Sequence, residues 1–343
     1  MIKYLALAVI TSVAGIALAH PDGHDQASQD HTRPSRPPAS TPAQAMPAPQ
    51  FRMEIKDGVR HMYANGIPNH ATGQFPNRRN PNSIAPQQYH FMMPVTPTVS
   101  ETTQPVGMSF FGIANNGIPF EAATAEWWKG DRNSGWHIEA NTGFADLGLD
   151  MNHAHVQPSG AYHYHGLPTV WLEALRSKPG AKAPQHLGWA ADGYPIYAPL
   201  GYTDPMDPQS ELKSLQPSYQ LKPGARPEPP TGPGGRFDGR YEQDFVYVAG
   251  SGDLDEFNGR FGITPEFPQG TYYYVVTDAF PNIARSWKGI PDQTFKTKRG
   301  AGRGRGLNRP ARGPNRGAGE GPNRSPQRPG RPPRRPGGRG GSQ

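Results

Sequence analysis

Four of the chain's 12 histidines fall within thirteen residues, as two His-x-His pairs around a turn: His153-Ala154-His155-Val156-Gln157-Pro158-Ser159-Gly160-Ala161-Tyr162-His163-Tyr164-His165. On a strand, residues two apart point to one face, so each pair can chelate one ion. Pro158-Ser159-Gly160 suits a three-residue loop, with Pro at the first turn position and Gly at the left-handed one. That loop pairs His155 with His163 and His153 with His165, and gathers all four imidazoles on one face. A two-residue loop would slip the register by one and separate the pairs. Clustered imidazoles are costly to bury as cations and repel one another. A divalent metal ion, Zn or Cu before others, resolves both problems. Three ligands leave a position for water or substrate, whereas four are structural or storage-like. The competing reading is hydrogen-bonded Tyr/His packing. Asp150 could ligate or orient a ring, and His186 or Asp192 could complete the site from a neighbouring strand. Each of these three also reads as an ordinary structural residue. Tyr162 and Tyr164 should face away from the imidazoles, as core side chains.

Elsewhere the chemistry is sparse. Asp253-Leu254-Asp255-Glu256-Phe257-Asn258-Gly259 resembles a calcium loop, but its Gly is one place late and Glu266 two, so an acidic turn is the better reading. No nucleophile elbow, P-loop or dinucleotide fingerprint is present. The chain has no Cys, which excludes a disulfide framework, thiolate ligands and a cysteine nucleophile.

These residues sit in a chain of 343 with 42 Gly, 41 Pro and only 34% hydrophobic residues, too few for one continuous core. Residues 1–19 read as a signal peptide: Lys3, an apolar run from Leu5 to Leu18, then a small-x-small site at Ala17-Leu18-Ala19. The run is short for a membrane span and no later stretch is longer, so the protein is expected to be exported, periplasmic or extracellular, without a transmembrane segment. Cleavage there would expose His20, a copper-chelating terminus on one reading and the start of a polar linker on the preferred one. Residues 20–50 are Pro/Ala/Ser-rich and unable to bury a core. The folded domain is expected over 51–296. Residues 297–343 form a basic Arg/Gly/Pro-rich tail expected to be disordered. From Lys296 onward the charge is +13, which leaves −6 of the net +7 on the rest of the chain. The tail has no aromatic residue to stack on bases, so it fits anionic cell-surface polymers better than a specific nucleic acid. Nothing signals an oligomeric state.

Short β-rich runs alternate with turn clusters across the body, at Gln88–Pro94, Met108–Ala114, Phe245–Ala249 and Thr271–Thr277. Helical spacing is confined to Ala122–Trp128 and Thr169–Arg176. The expected class is mainly antiparallel β, sandwich or barrel-like, with a few short helices. One internal echo relates Gly112-Ile113-Ala114-Asn115-Asn116-Gly117-Ile118-Pro119-Phe120 to Gly188-Trp189-Ala190-Ala191-Asp192-Gly193-Tyr194-Pro195-Ile196. Either two related β units or shared turn chemistry would produce it.

Tyr162-His163-Tyr164-His165, after Gly160 and before Pro168, resembles the signature of the YHYH domain family of exported bacterial proteins. The similarity extends through Gly188–Tyr197, Asp253–Arg260 and Thr264–Tyr274, about residues 60–290. It implies a domain and export, and adds little on chemistry. A Cys near these positions, which the resemblance also implies, is missing here. Three functions fit: an exported metal-binding protein, an extracytoplasmic metalloenzyme of hydrolase or copper oxidase type using the same ligands, or a structural surface module with a polyanion-binding tail.

Overall fold

The computed structural model describes residues 46–178 and 183–296. The expected signal peptide, the basic tail, His20 and all of the linker before residue 46 lie outside the described residues. Asp57 and Gly58, both at positive φ, turn strand β1 (Phe51–Lys56) into β2 (Val59–Ala64), and β3 (Tyr89–Pro94) completes a three-stranded antiparallel sheet. After β4 (Val99–Pro105) come β5 (Phe110–Ala114) and β6 (Pro119–Glu121), and then the histidine hairpin, β7 (Ala154–Val156) and β8 (Tyr162–Tyr164). Among the described residues there is one α-helix, α1 (Thr169–Arg176), which buries Trp171 and Leu172, and the Asn152 side chain accepts from the Val170 N–H near its start. Next are β9 (His186–Ala190), β10 (Pro195–Tyr197), β11 (Leu200–Tyr202), β12 (Leu212–Ser214), β13 (Tyr219–Leu221) and β14 (Phe245–Tyr247). The last strands are β15 (Gly259–Thr264), β16 (Phe267–Val275) and β17 (Ser286–Gly289).

Eight strands make the central sheet, in the order β15-β16-β10-β9-β5-β6-β8-β7. Its pairings are antiparallel except β6 with β8 and β10 with β16. The described residues are therefore mainly antiparallel β, with one helix and short 3₁₀ turns. Among the described residues, no helix is long and apolar enough to cross a membrane.

The echo marks a duplication. At the sheet centre Ile113 pairs with Trp189, and the flanking pairs Gly112–Ala190 and Ala114–Gly188 exchange under a local two-fold axis. Gly112 and Gly188 sit where the two strands crowd each other. A Cβ on either would lie 2.4 Å or 2.2 Å from a carbonyl oxygen across the pair. The relation carries outward: β5, β6, β8 and β7 correspond to β9, β10, β16 and β15. Phe120 pairs in parallel with Tyr164 as Ile196 does with Tyr274, and Ala154 pairs with Tyr164 as Gly259 does with Tyr274. His153 and Asn258 occupy equivalent places with φ of 51° and 54°.

The core lies between this sheet and its covering segments, around Phe111, Ile113, Phe120, Tyr164, Ile196 and Tyr274. Thr169–Arg176 is helical as expected, but Ala122–Trp128 is not a helix. Trp127 bridges to His137 and stacks on it at 4.9 Å, and Ile138 N–H donates to the Glu126 carbonyl. Tertiary pairing there overrides the helical spacing.

Candidate metal centre

Gly160, at φ 85°, closes the β7–β8 loop by donating its N–H to the Gln157 carbonyl, while Gln157 N–H donates to Ala161. The loop is the three-residue one, and His155 stands directly opposite His163. His165 follows two places on, so three imidazoles share one face. The ring centroids form a nearly equilateral triangle with sides of 4.7, 4.9 and 4.8 Å, and the rings are mutually tilted by 66–80°. His165 Nε2 lies 3.0 Å from His163 Nε2 and 3.1 Å from His155 Nε2. Two nitrogens each about 2.0–2.1 Å from one cation stand about 2.9–3.4 Å apart for bond angles of 90–110°. Both measured spacings fall inside that window.

The rings are set for lone pairs to converge. His155 Nδ1 is 3.0 Å from the Leu147 carbonyl and His163 Nδ1 is 3.1 Å from that of Ala161. A carbonyl only accepts, so both Nδ1 atoms carry hydrogen and both Nε2 atoms are bare. His165 Nδ1 is buried without a hydrogen-bond partner among the described residues. A proton on His165 Nε2 could satisfy only one bare neighbour and a proton on Nδ1 neither, whereas a cation satisfies all three nitrogens together. Burial, followed by the neighbouring rings, pushes the His163 pKa down to about 3 and that of His165 well below the usual value. Burial also lowers His155, against smaller opposing contributions from the Leu147 carbonyl, Glu126 and Asp150. All three are therefore neutral, the ligand form, at ordinary pH. Chemically, His155, His163 and His165 could hold a metal ion.

Glu121, at the end of β6, has its Oε2 3.4 Å from His163 Nε2 and accepts from Gln157 Nε2 at 2.6 Å. It is 5% exposed. The three rings and Glu121 open onto a cleft of about 1380 Å³ whose walls include Met108, Glu126 and Arg132. Sequence reasoning missed Glu121. No spacing links it to the histidines, and only the parallel pairing of Phe120 with Tyr164 brings it to them.

The remaining candidates stand apart. His153 is opposite His165 along the backbone, with His165 N–H donating to its carbonyl at 2.7 Å. Its left-handed φ of 51° turns the side chain away, and Nδ1 bonds the Leu167 carbonyl at 2.9 Å. Asp150 lies on the other side of the sheet, accepting from Tyr162 hydroxyl, Gly73 N–H and Asn152 N–H. Its counterpart Asp255 likewise accepts from Tyr272 hydroxyl and Phe257 N–H. His186 bonds Asn115 and the Gly188 carbonyl. Asp192, fully buried, accepts from Tyr274 hydroxyl and Gly289 N–H. Tyr162 and Tyr164 face the core; the Tyr164 hydroxyl meets His70 Nε2 at 2.6 Å and Asn116 Nδ2 at 2.8 Å. Lys213 and Lys288 pair with Asp253 and Asp255 in the acidic turn.

A family model described as YHYH protein matches residues 90–289. The chain belongs to the YHYH family. No curated protein and no solved structure was found to match it. In the YHYH motif of this chain the residues alternate in role. Tyr162 and Tyr164 anchor β8 in the core, and His163 and His165 face the cleft.

Proposed function

We propose that this YHYH protein is an exported metal-binding protein whose divalent cation, zinc or copper, is held by His155, His163 and His165. The duplication carries this reading. Position for position, the second half of the sheet replaces these histidines with Arg260, Tyr273 and Val275, and Glu121 with Tyr197. There Arg260 Nε donates to the Tyr273 hydroxyl at 2.7 Å, and Tyr197 bonds Thr264 and Glu266. Tyr197, Tyr273 and Val275 pack with Leu215 and Leu254 into a closed cluster. The same backbone thus folds without imidazoles and seals the face that the first half leaves open. A histidine triangle that the scaffold does not need is best explained by a ligand.

The second reading, a metalloenzyme of hydrolase type, draws on the cleft and Glu121. Three nitrogen ligands leave coordination positions free, and a bound cation would supply Lewis acidity toward water or substrate there. Glu121, held by Gln157, stands where it could accept a proton, and the cleft gives a substrate access.

Thermal unfolding of the full chain tests the metal. A cation bound only to the native state must stabilise it. Zinc should raise Tm and chelator reverse the rise in the parent, with a much smaller response in the His155→Arg/His163→Tyr/His165→Val variant. Equal responses in both proteins would contradict the assignment.

A further inference from the structure

A second group of imidazoles lies far along the chain from the first, on the outer face of the β1–β2–β3 sheet. Alternation in β2 and β3 sends Arg60, Met62, Phe91 and Met93 into the protein and His61, Tyr63, His90 and Met92 outward. In register, Tyr63 stands opposite His90, and His61 stands between Glu54 on β1 and Met92 on β3. His61 and His90 are therefore diagonal neighbours on one face, close enough to act together. His61 Nδ1 is 3.0 Å from His90 Nε2, within the same chelate window derived above. Tyr63 fixes the rings: it stacks on His90 at 4.2 Å with planes 9° apart, and on His61 at 6.4 Å. Arg52 covers the far side of Tyr63, 3.6 Å from its centroid.

We propose that His61 and His90 form a second, solvent-facing site for a late first-row divalent cation, copper(II) foremost. Two imidazoles from adjacent strands, preordered by Tyr63, make a bidentate nitrogen donor. Copper(II) binds such donors most strongly among the divalent first-row ions. Glu54, opposite His61 on β1 and ion-paired with Arg52 at 3.0 Å, supplies a carboxylate on the same face. Met92 places a thioether on the same face, a ligand type that suits copper(I). This site is open to water on one whole side, unlike the buried triangle, so its ion exchanges freely with solvent and with other chelators.

Equilibrium dialysis of the full chain against copper(II) tests it, using the parent, the His61→Gln/His90→Gln variant and the His155→Arg/His163→Tyr/His165→Val variant. Both outer histidines are on the surface of a sheet, so their replacement leaves the fold intact, which far-ultraviolet circular dichroism checks. The outer variant should bind one copper fewer than the parent. The triangle variant should retain that copper, with nitrogen hyperfine lines from two imidazoles in its electron paramagnetic resonance spectrum. Undiminished copper in the outer variant would overturn the proposal. So would a triangle variant whose remaining copper shows no imidazole coupling that depends on His61 and His90. If the triangle variant alone loses nothing, the failure belongs to the buried site and not to this one.

Discussion

Protonating His163 would place a cation between two other imidazoles at a position that is 1% exposed. An unfolded histidine accepts a proton near pH 6.5, whereas His163 in the folded protein resists it until about pH 3. The unfolded state therefore binds more protons between those values. The stability contributed by neutral His163 is fully present above about pH 6.5 and is lost as pH falls toward 3. Metal-free protein should lose Tm steeply on acidification through this interval. The His155→Arg/His163→Tyr/His165→Val variant should lose much less, and equal slopes would contradict the neutral triangle. Glu121 belongs to the same scale. Glu121→Gln should keep the bound ion and alter only the proton chemistry beside it. A cobalt(II)-loaded sample would register this as a displaced midpoint in the pH titration of its visible spectrum. An unmoved midpoint would remove Glu121 from the site's proton chemistry.

At the scale of elements, the triangle depends on one register, and the register depends on the loop at Gly160. A side chain there faces two penalties: φ is 85°, and a Cβ would stand 2.4 Å from that of Ala85. Gly160→Val should destabilise the fold by about 1–3 kcal/mol, read from urea unfolding, and weaken metal retention with it. Unchanged stability would show the loop to be adaptable. The hairpin was legible from sequence because Pro158 and Gly160 are turn residues and alternation is a period of two. Thr169–Arg176 was legible because its own residues bury one face. Ala122–Trp128 was not, because its extended course is imposed by Trp136, His137 and Ile138 from the next segment. His153 shows the limit of alternation, since a single left-handed residue took one of four expected ligands off the shared face.

For the whole molecule, only the two central hairpins kept an echo readable in sequence. The outer strands of each half diverged, His155 against Arg260 and His163 against Tyr273, so the two-fold relation emerges only from strand pairing. That divergence divides the sheet into a sealed half and an open one, and it supplies a variant that the fold already tolerates in its other half. The basic tail is separate from this division. Removing 297–343, which carries most of the excess positive charge, should spare metal binding and weaken adsorption to anionic vesicles or polymers at low salt. Undiminished adsorption would take that role away from the tail.

The central claim is that one ion sits between His155, His163 and His165. Inductively coupled plasma mass spectrometry tests it on the full chain, purified without chelator or affinity His-tag and gel-filtered after zinc or copper loading, beside the His155→Arg/His163→Tyr/His165→Val variant. The expected result is one tightly retained ion per parent chain that the variant lacks, with both proteins folded. Equal metal in the two, or none in the parent after loading, would contradict it.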